Sequence, residues 1–291
     1  MTAASVPRIF VRQLTYRYPG HDHPAVQALN FEVRPGEVFG FLGPSGAGKS
    51  TTQNILIGHL RGFEGDVQVL GKPLRAWDGD LYRHIGVSFE LPNHYLKLTA
   101  RENLEYFRAL YGDEATSPAL DVLARVGLAE HADKRVAEFS KGMKNRLNFA
   151  RSLMHCPTLW FLDEPTAGLD PVNALRVREI VKDQQARGVT TVLTTHDMTT
   201  ADLLCDRVAF IVDGEIAVVD TPSTLRQRYG EREVCVSWRG ENAGEARFPL
   251  DGLADNGAFR DALRHPQLTS VHSLEASLDD VFVEVTGRSL G

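Results

Sequence analysis

Hydrophobic and polar positions along the chain follow three rhythms, and each predicts a different kind of element. Alternation marks RIFVRQLTYRY, ALNFEV, EVFGFLG, DVQVLG and IGVSF as strands, because successive strand side chains face opposite ways. Spacings of three and four predict helices over 49–60 and through 99–157. Within the second stretch, Thr99 with Glu102 makes a capping box, and Ser117 caps a further helix with Pro118 in its first turn. The third rhythm is the short, nearly continuous apolar run of TLWFLDEP and VTTVLTTHD, which predicts parallel strands covered on both faces. Between these runs DPVNALRVREIVKDQQARG has helical spacing, capped by Asp170 and ended by Gly188. Strand, helix, strand in this order predicts a right-handed crossover in an α/β sheet.

After Pro222 the pattern changes. EVCVSW and EARFPL alternate as exposed strands, GAFRDALRH is a short helix, and SLDDVFVEVTG sets Leu278, Val281, Phe282 and Val285 on one helical face. Residues 1–221 are expected to form one domain and 222–291 a small α+β appendage that serves as a packing extension.

Composition narrows this picture. A chain of 291 residues with 43% hydrophobic and 24% charged positions buries a sizeable core. A net charge of -6 gives no basic face for nucleic acid. Cys156, Cys205 and Cys235 are too far apart to pair as ligands and read as buried thiols in a reducing compartment. MTAASVPRIFVRQL has no apolar core of signal-peptide length, and no apolar run is long enough to cross a bilayer. Any membrane-spanning part is expected to come from another chain.

The chemistry concentrates in four segments. GPSGAGKS (Gly43, Pro44, Ser45, Gly46, Ala47, Gly48, Lys49, Ser50) follows a strand and opens a helix, with Thr51 next. Glycine-freed backbone N–H groups and the helix N-terminus make this a phosphate cradle. Lys49 is suited to the β- and γ-phosphates and Ser50 to Mg²⁺. LWFLDEP delivers Asp163 and Glu164 to a strand's C-terminal end; Asp163 suits Mg²⁺, and Glu164 can polarise an attacking water. TTHD brings His196 to the same edge, where a neutral imidazole can donate to a phosphate or to the water. In EFSKGMKNRLNFARSL, Ser140 and Gly142 begin a helix with a basic start, a second anion cradle. Two cradles from distant segments suit two chains facing each other, each closing on the other's nucleotide. A carboxylate, Glu90, ends the strand IGVSF, as a loop charge, a metal ligand or a base.

These segments, in this order over about 9–221, resemble the nucleotide-binding subunit of ATP-binding cassette (ABC) transporters. The resemblance implies a P-loop NTPase (RecA-like) α/β core with an antiparallel β subdomain, an α-helical subdomain at about 92–157, and a small C-terminal α+β extension. It implies ATP and Mg²⁺ as ligands, Lys49 and Ser50 in the Walker A loop, Asp163 in Walker B, Glu164 as catalytic glutamate and His196 as switch histidine. Asp170, in AGLD, matches the D-loop at the dimer interface, Ser140 and Gly142 the signature that meets the partner's ATP, and Tyr18 the ring that stacks on adenine, with Tyr16 as a second candidate. Two departures stand out. The signature is FSKGM rather than LSGGQ, which, with SLDDVFVEVTGR near the C-terminus, resembles the subfamily of ABC-2-type exporters that includes daunorubicin-type drug pumps. Glu90 stands where the family has the Q-loop glutamine, with Mg²⁺ as its implied contact.

The implied partners are an integral-membrane permease and a second copy of the chain or a homologous ATPase subunit, with the chain peripheral on the cytoplasmic face of the membrane. Motion would pass to the permease through the helical subdomain near Glu90 to Glu102. The alternative is a soluble ABC ATPase of DNA repair or the ribosome; no zinc insert or long coiled coil supports it. A GTPase is disfavoured by the absence of an N-K-x-D motif.

Overall fold

The structure, a computed structural model, describes residues 6–111, 117–229, 233–239, 243–274 and 276–288. The chain divides into two compact units, Met1–Val219 and Asp220–Gly291.

The first unit begins with β1 (Ile9–Tyr16), β2 (Val26–Val33) and β3 (Val38–Leu42), followed by α1 (Lys49–Leu56), β4 (Glu64–Val69) and β5 (Lys72–Pro73). Next come α2 (Leu81–His84), β6 (Ile85–Ser88), α3 (Ala100–Tyr111), α4 (Ala119–Arg125) and α5 (Lys141–Leu153). It continues with β7 (Leu159–Asp163), α6 (Pro171–Ala186), β8 (Thr190–Thr195), α7 (Met198–Leu204), β9 (Arg207–Val212) and β10 (Glu215–Asp220). One sheet runs β2-β1-β4-β5, with β1 antiparallel to both neighbours, and a larger one runs β10-β9-β3-β8-β7-β6. In the larger sheet β6, β7, β8, β3 and β9 are parallel. Phe31 of the first sheet joins Phe39 (stacked, 5.8 Å) and Phe41 (edge-on, 5.0 Å) of the second, and this aromatic cluster lies in the core they share. α3, α4 and α5 pack on one another and bury Leu104, Val122, Leu123 and Leu147. The P-loop core, antiparallel sheet and helical part agree with the expected fold class.

Local chemistry explains most boundaries. Thr99 and Glu102 form their capping box: Thr99 N donates to Glu102 Oε2 at 2.7 Å and Glu102 N to Thr99 Oγ1 at 3.1 Å. Asp170 caps α6 by accepting from Asn173 N, and Gly188, at φ 86°, follows its end. Ser117 is not a cap. Pro118 holds the N-cap position of α4, and the Ser117 hydroxyl lies 3.5 Å from Cys156 Sγ instead. α1 stops at Leu56, short of the expected residue 60. Cys156 is exposed, against expectation, because it follows the end of α5 in a connecting turn; Cys205 and Cys235 are buried.

The second unit holds α8 (Pro222–Tyr229), β11 (Glu233–Trp238), β12 (Gly244–Pro249), α9 (Gly257–Leu263), β13 (Leu268–Leu274) and α10 (Leu278–Thr286). β11 is the centre of an antiparallel sheet ordered β12-β11-β13. Val234, Val236 and Phe248 form a small core that Phe259 and Ala262 of α9 cover. α10 starts at a Ser277–Asp280 capping box and buries Leu278, Val281 and Phe282. Among the described residues no helix is long and apolar enough to cross a membrane.

Gly86 sets how closely α5 approaches β6, since a Cβ there would lie 2.2 Å from Ser152 O. Gly86→Ala is expected to destabilise the chain by about 1–3 kcal/mol through overpacking, measured as a lower urea midpoint at unchanged slope.

Candidate active site

Four parallel strand ends meet at one edge. β3, β8, β7 and β6 are neighbours in that order, and their registers pair Leu42 with Thr195, Thr194 with Asp163, and Leu162 with Ser88. The loop 43–50, His196, Glu164 and Glu90 therefore emerge side by side at the carboxyl edge, where parallel sheets bind ligands.

The glycines of the loop serve two purposes. Gly46 (φ 81°) and Gly48 (φ 107°) take left-handed conformations. Gly43 does not; it is needed for space, because a Cβ there would sit 2.1 Å from Ile211 O. Gly214 N donates to Ala47 O at 3.0 Å and pins the loop. Pro44 is half-buried and Ala47 buried, while Ser45, Gly46 and Ser50 face outward. Gly48 is the N-cap of α1 and supplies no side chain to cap it, so the first N–H groups of the helix stay open to an anion. Lys49 Nζ donates to Gly43 O at 2.6 Å and Pro44 O at 2.9 Å. Burial pushes this amine below its ordinary range, while Glu164, Asp163 and Glu90 pull it back. Thr51 Oγ1 lies 3.2 Å from the half-buried Tyr18 hydroxyl, which holds that ring beside the loop. Tyr16 is a core residue, packed edge-on to Tyr18 at 5.0 Å.

The acids are held from β8. Thr194 Oγ1 donates to Asp163. Burial raises the Asp163 carboxyl above the usual range and Glu90 and Glu164 add to it, against the Thr194 hydrogen bond and the Lys49 charge. Thr195 Oγ1 donates to Glu164 Oε2 at 2.9 Å, and His196 N donates to Glu164 Oε1 at 3.0 Å. His196 Nδ1 lies 2.6 Å from the same Oε1. A carboxylate only accepts, so Nδ1 carries the proton and Nε2 of the neutral ring is an acceptor. Donation from Nε2 to a phosphate then requires the imidazolium or release of Glu164. Glu164 itself has φ 47°, in the left-handed region, although it is not a glycine. Its side chain is 11% exposed and that of His196 61%.

Glu90 is exposed, yet its charge reaches both Lys49 and Asp163. Asn148 Nδ2, on α5, donates to Phe89 O at 2.7 Å and so fixes the backbone just before it. Ser140 and Gly142 begin α5 against the 167–169 loop: Asn145 Nδ2 donates to Ala167 O at 3.2 Å, and Leu169 Cδ2 is 3.7 Å from where a Cβ on Gly142 would lie. The Ser140 hydroxyl accepts from Met143 N at 3.2 Å, which leaves its own proton free to donate. Asp170 is exposed at the end of the same loop.

The sequence reading missed two groups. One is the pair Thr194 and Thr195; the signal was four threonines in an otherwise apolar strand. The other lines a cavity of about 450 Å³ behind Phe89. Its walls include His59 stacked on Phe89 (5.8 Å) and His155 stacked on Tyr111 (4.1 Å). Arg151 lies over Phe107 at 4.7 Å and donates to Asn93 O and Asn148 Oδ1 at 2.7 and 2.8 Å. Tyr82 and Tyr95, which line it, are exposed, as is Leu110 of a second cavity that shares Tyr82, Phe107 and Tyr111 with it.

The ABC transporter family model matches residues 26–167, and the model of the fluoroquinolone efflux ABC transporter C-terminal domain matches residues 232–275. A fluoroquinolones export ATP-binding protein of Mycobacterium tuberculosis (strain H37Rv) is 56% identical over 284 residues, 97% of this chain and 94% of that protein. The linearmycin resistance ATP-binding protein LnrL of Bacillus subtilis is 35% identical over 260 residues, 87% and 79% of the two chains. A dimeric ATP-binding cassette in a post-hydrolysis state, bound to ADP and Pi, superposes with a TM-score of 0.67 at 28% identity, covering 73% of this chain and 98% of that one. The chain belongs to the ATP-binding proteins of the ABC transporter family.

His94, in the cavity wall, has a proton affinity that can be tested directly. Its Nε2 bonds Lys144 O at 2.9 Å and its Nδ1 has no partner. Burial, with smaller pushes from Arg151 and Lys144, lowers its pKa to about 4. The folded chain therefore refuses a proton that the unfolded chain accepts below about pH 6.5, and stability falls as pH drops through that window. In urea unfolding at pH 7 and pH 5, His94→Gln is expected to lose about 2 kcal/mol less than the wild type between the two conditions.

Proposed function

We propose that this chain is the ATP-hydrolysing subunit of an ABC-2-type exporter of drugs, with fluoroquinolones the first cargo to test. The observation that carries the hydrolytic reading is Glu164, held by Thr195 and His196 at the same strand edge as Lys49 and Asp163. The export reading draws on the two matches named for fluoroquinolone efflux, one over nearly the whole chain and one over the C-terminal unit.

In this reading the loop 43–50 and Thr51 take the phosphates of ATP, Lys49 leaves the Gly43 and Pro44 carbonyls for the β- and γ-phosphates, and Tyr18 stacks on the adenine. Glu164 accepts the proton of the attacking water, and His196 orients Glu164 through Nδ1. Ser140 and Gly142 of a second copy close over the nucleotide, with Asp170 at that interface. Mg²⁺ fits the residues present. Asp163 is a half-buried carboxylate next to two further acids, and a hard divalent cation would relieve that repulsion. Ser50 and Asp163 would hold the ion with Glu90 beside them, and its chemistry is to neutralise charge on the phosphates. A membrane permease would dock over the aromatic cavity behind Phe89, with the chain on the cytoplasmic side.

Glu164→Gln is expected to lower steady-state ATP turnover by about 10²–10⁴-fold, with ATP binding retained; normal turnover would remove Glu164 from the chemistry. In cells expressing the chain with its permease, fluoroquinolone efflux should disappear in the same variant. Efflux unaffected by it would reject the cargo or the coupling.

Glu90 is a separate case. A glutamine there keeps one acceptor oxygen, gains donors and loses the charge. With that charge gone, Glu90→Gln is expected to lower Mg²⁺ affinity and to change the ratio of transport to hydrolysis more than hydrolysis itself. Titration of ATPase and transport against Mg²⁺ checks this, and unchanged ATPase, transport and Mg²⁺ affinity would together reject it.

A further inference from the structure

The small sheet of the C-terminal unit has two edges, and their sequences differ in kind. β12 carries Glu245 and Arg247 and ends on Pro249. Charges and proline are common devices that keep a second chain from adding to a sheet edge. β13 has neither. From 266 to 274 the sequence PQLTSVHSL contains no Asp, Glu, Lys or Arg, in a chain that is 24% charged. A bulge at Thr269, where the register steps between Ser237 and Trp238, disturbs only the start of the strand. Residues 270–274 then pair in unbroken register with 233–237.

The other side of β13 has no strand among the described residues. Its register sets Val271 opposite Val236 and, because of the bulge, Leu268 opposite Trp238. Both therefore belong to the apolar face that α9 covers over β11 and β12. On β13 that face is open: Val271 is 44% and Leu268 38% exposed. An unpaired backbone edge thus adjoins apolar side chains with no charge to repel a neighbour.

We propose that β13 is a self-docking edge, pairing antiparallel with β13 of a second copy to join the two three-stranded sheets into one. The lack of charge selects this occupant. About a two-fold axis residue i meets j and j meets i, so any charge on the strand enters the contact twice. A strand evolved to capture a different, charged partner gains from complementary charge, and β13 offers none. Dimerisation of the first unit around nucleotide would bring two copies of the second to an effective concentration of about a millimolar, enough to populate a weak edge contact. The edge itself needs no nucleotide.

The test uses the full chain without nucleotide, at high concentration, in a Cys156→Ser background that removes the exposed native thiol. Single cysteines are placed by Ser270→Cys, Val271→Cys, His272→Cys and Ser273→Cys, with Arg247→Cys on β12 as control. Mild oxidation is expected to give a disulfide dimer at one or two adjacent β13 positions and not at the control. Equal, low yields throughout would overturn the proposal. In sedimentation equilibrium, the double variant Val271→Lys with Ser273→Lys is expected to weaken dimerisation at least tenfold at an unchanged melting temperature, since both positions are exposed. Undiminished dimerisation would overturn it. So would a chain that stays monomeric and whose β13 amides gain exchange protection only with permease-containing membranes, an outcome that assigns the edge to the permease. Because no nucleotide is added, failure of the ATPase reading leaves these results unaffected.

Discussion

The parallel hydrogen-bond ladder through β6, β7, β8 and β3 is the constraint on which the rest of the site depends. A parallel ladder aligns carboxyl ends, so segments far apart in sequence leave the sheet at one level. Neither the 43–50 loop nor the acids at the end of β7 make a site by themselves, although Gly46, Gly48 and Glu164 have left-handed backbone. Their chemistry arises because Leu42, Thr195, Asp163 and Ser88 are held on adjacent strands. Buried aromatic residues keep the ladder rigid from below, and Gly43 lets the loop press against β9.

β8 has a further part in this. It is buried along its full length, yet four of its six residues are threonines. At one end the Thr190 hydroxyl accepts from Gly36 N at 2.8 Å, and at the other Thr194 and Thr195 donate to the two acids. The strand is apolar enough for the centre of the sheet and still carries the donors that orient carboxylates. In a site where Asp163, Glu164 and Glu90 crowd one amine, those donors hold Asp163 and Glu164 in place.

Local signals carried far into the fold. The phosphate loop, the capping box at Thr99 and the Asp170 cap could be read because each is decided within a few residues. Contacts through space were not readable: the tautomer of His196, the hold of Asn148 on Phe89 and the stacked rings around Arg151 join segments far apart in sequence. RVAFIVDGEIAVVD is not among the sequence-predicted elements, though Asp213 and Gly214 both have positive φ and Asp-Gly between apolar runs is a strong hairpin signal. β13 went unseen for a different reason. Its bulge breaks the period-two pattern, so Leu268 and Val271 share a face at a spacing that suggests no strand.

The backbone at Glu164 has one more consequence. A left-handed conformation at a residue with a side chain costs on the order of 1 kcal/mol, and glycine would remove that cost. The chain therefore has an easy route to greater stability at this position, and taking it would delete the carboxylate that Thr195 and His196 hold. Selection for robustness and selection for work oppose each other at a single residue. A thermostability screen run without an activity assay would be drawn toward that loss.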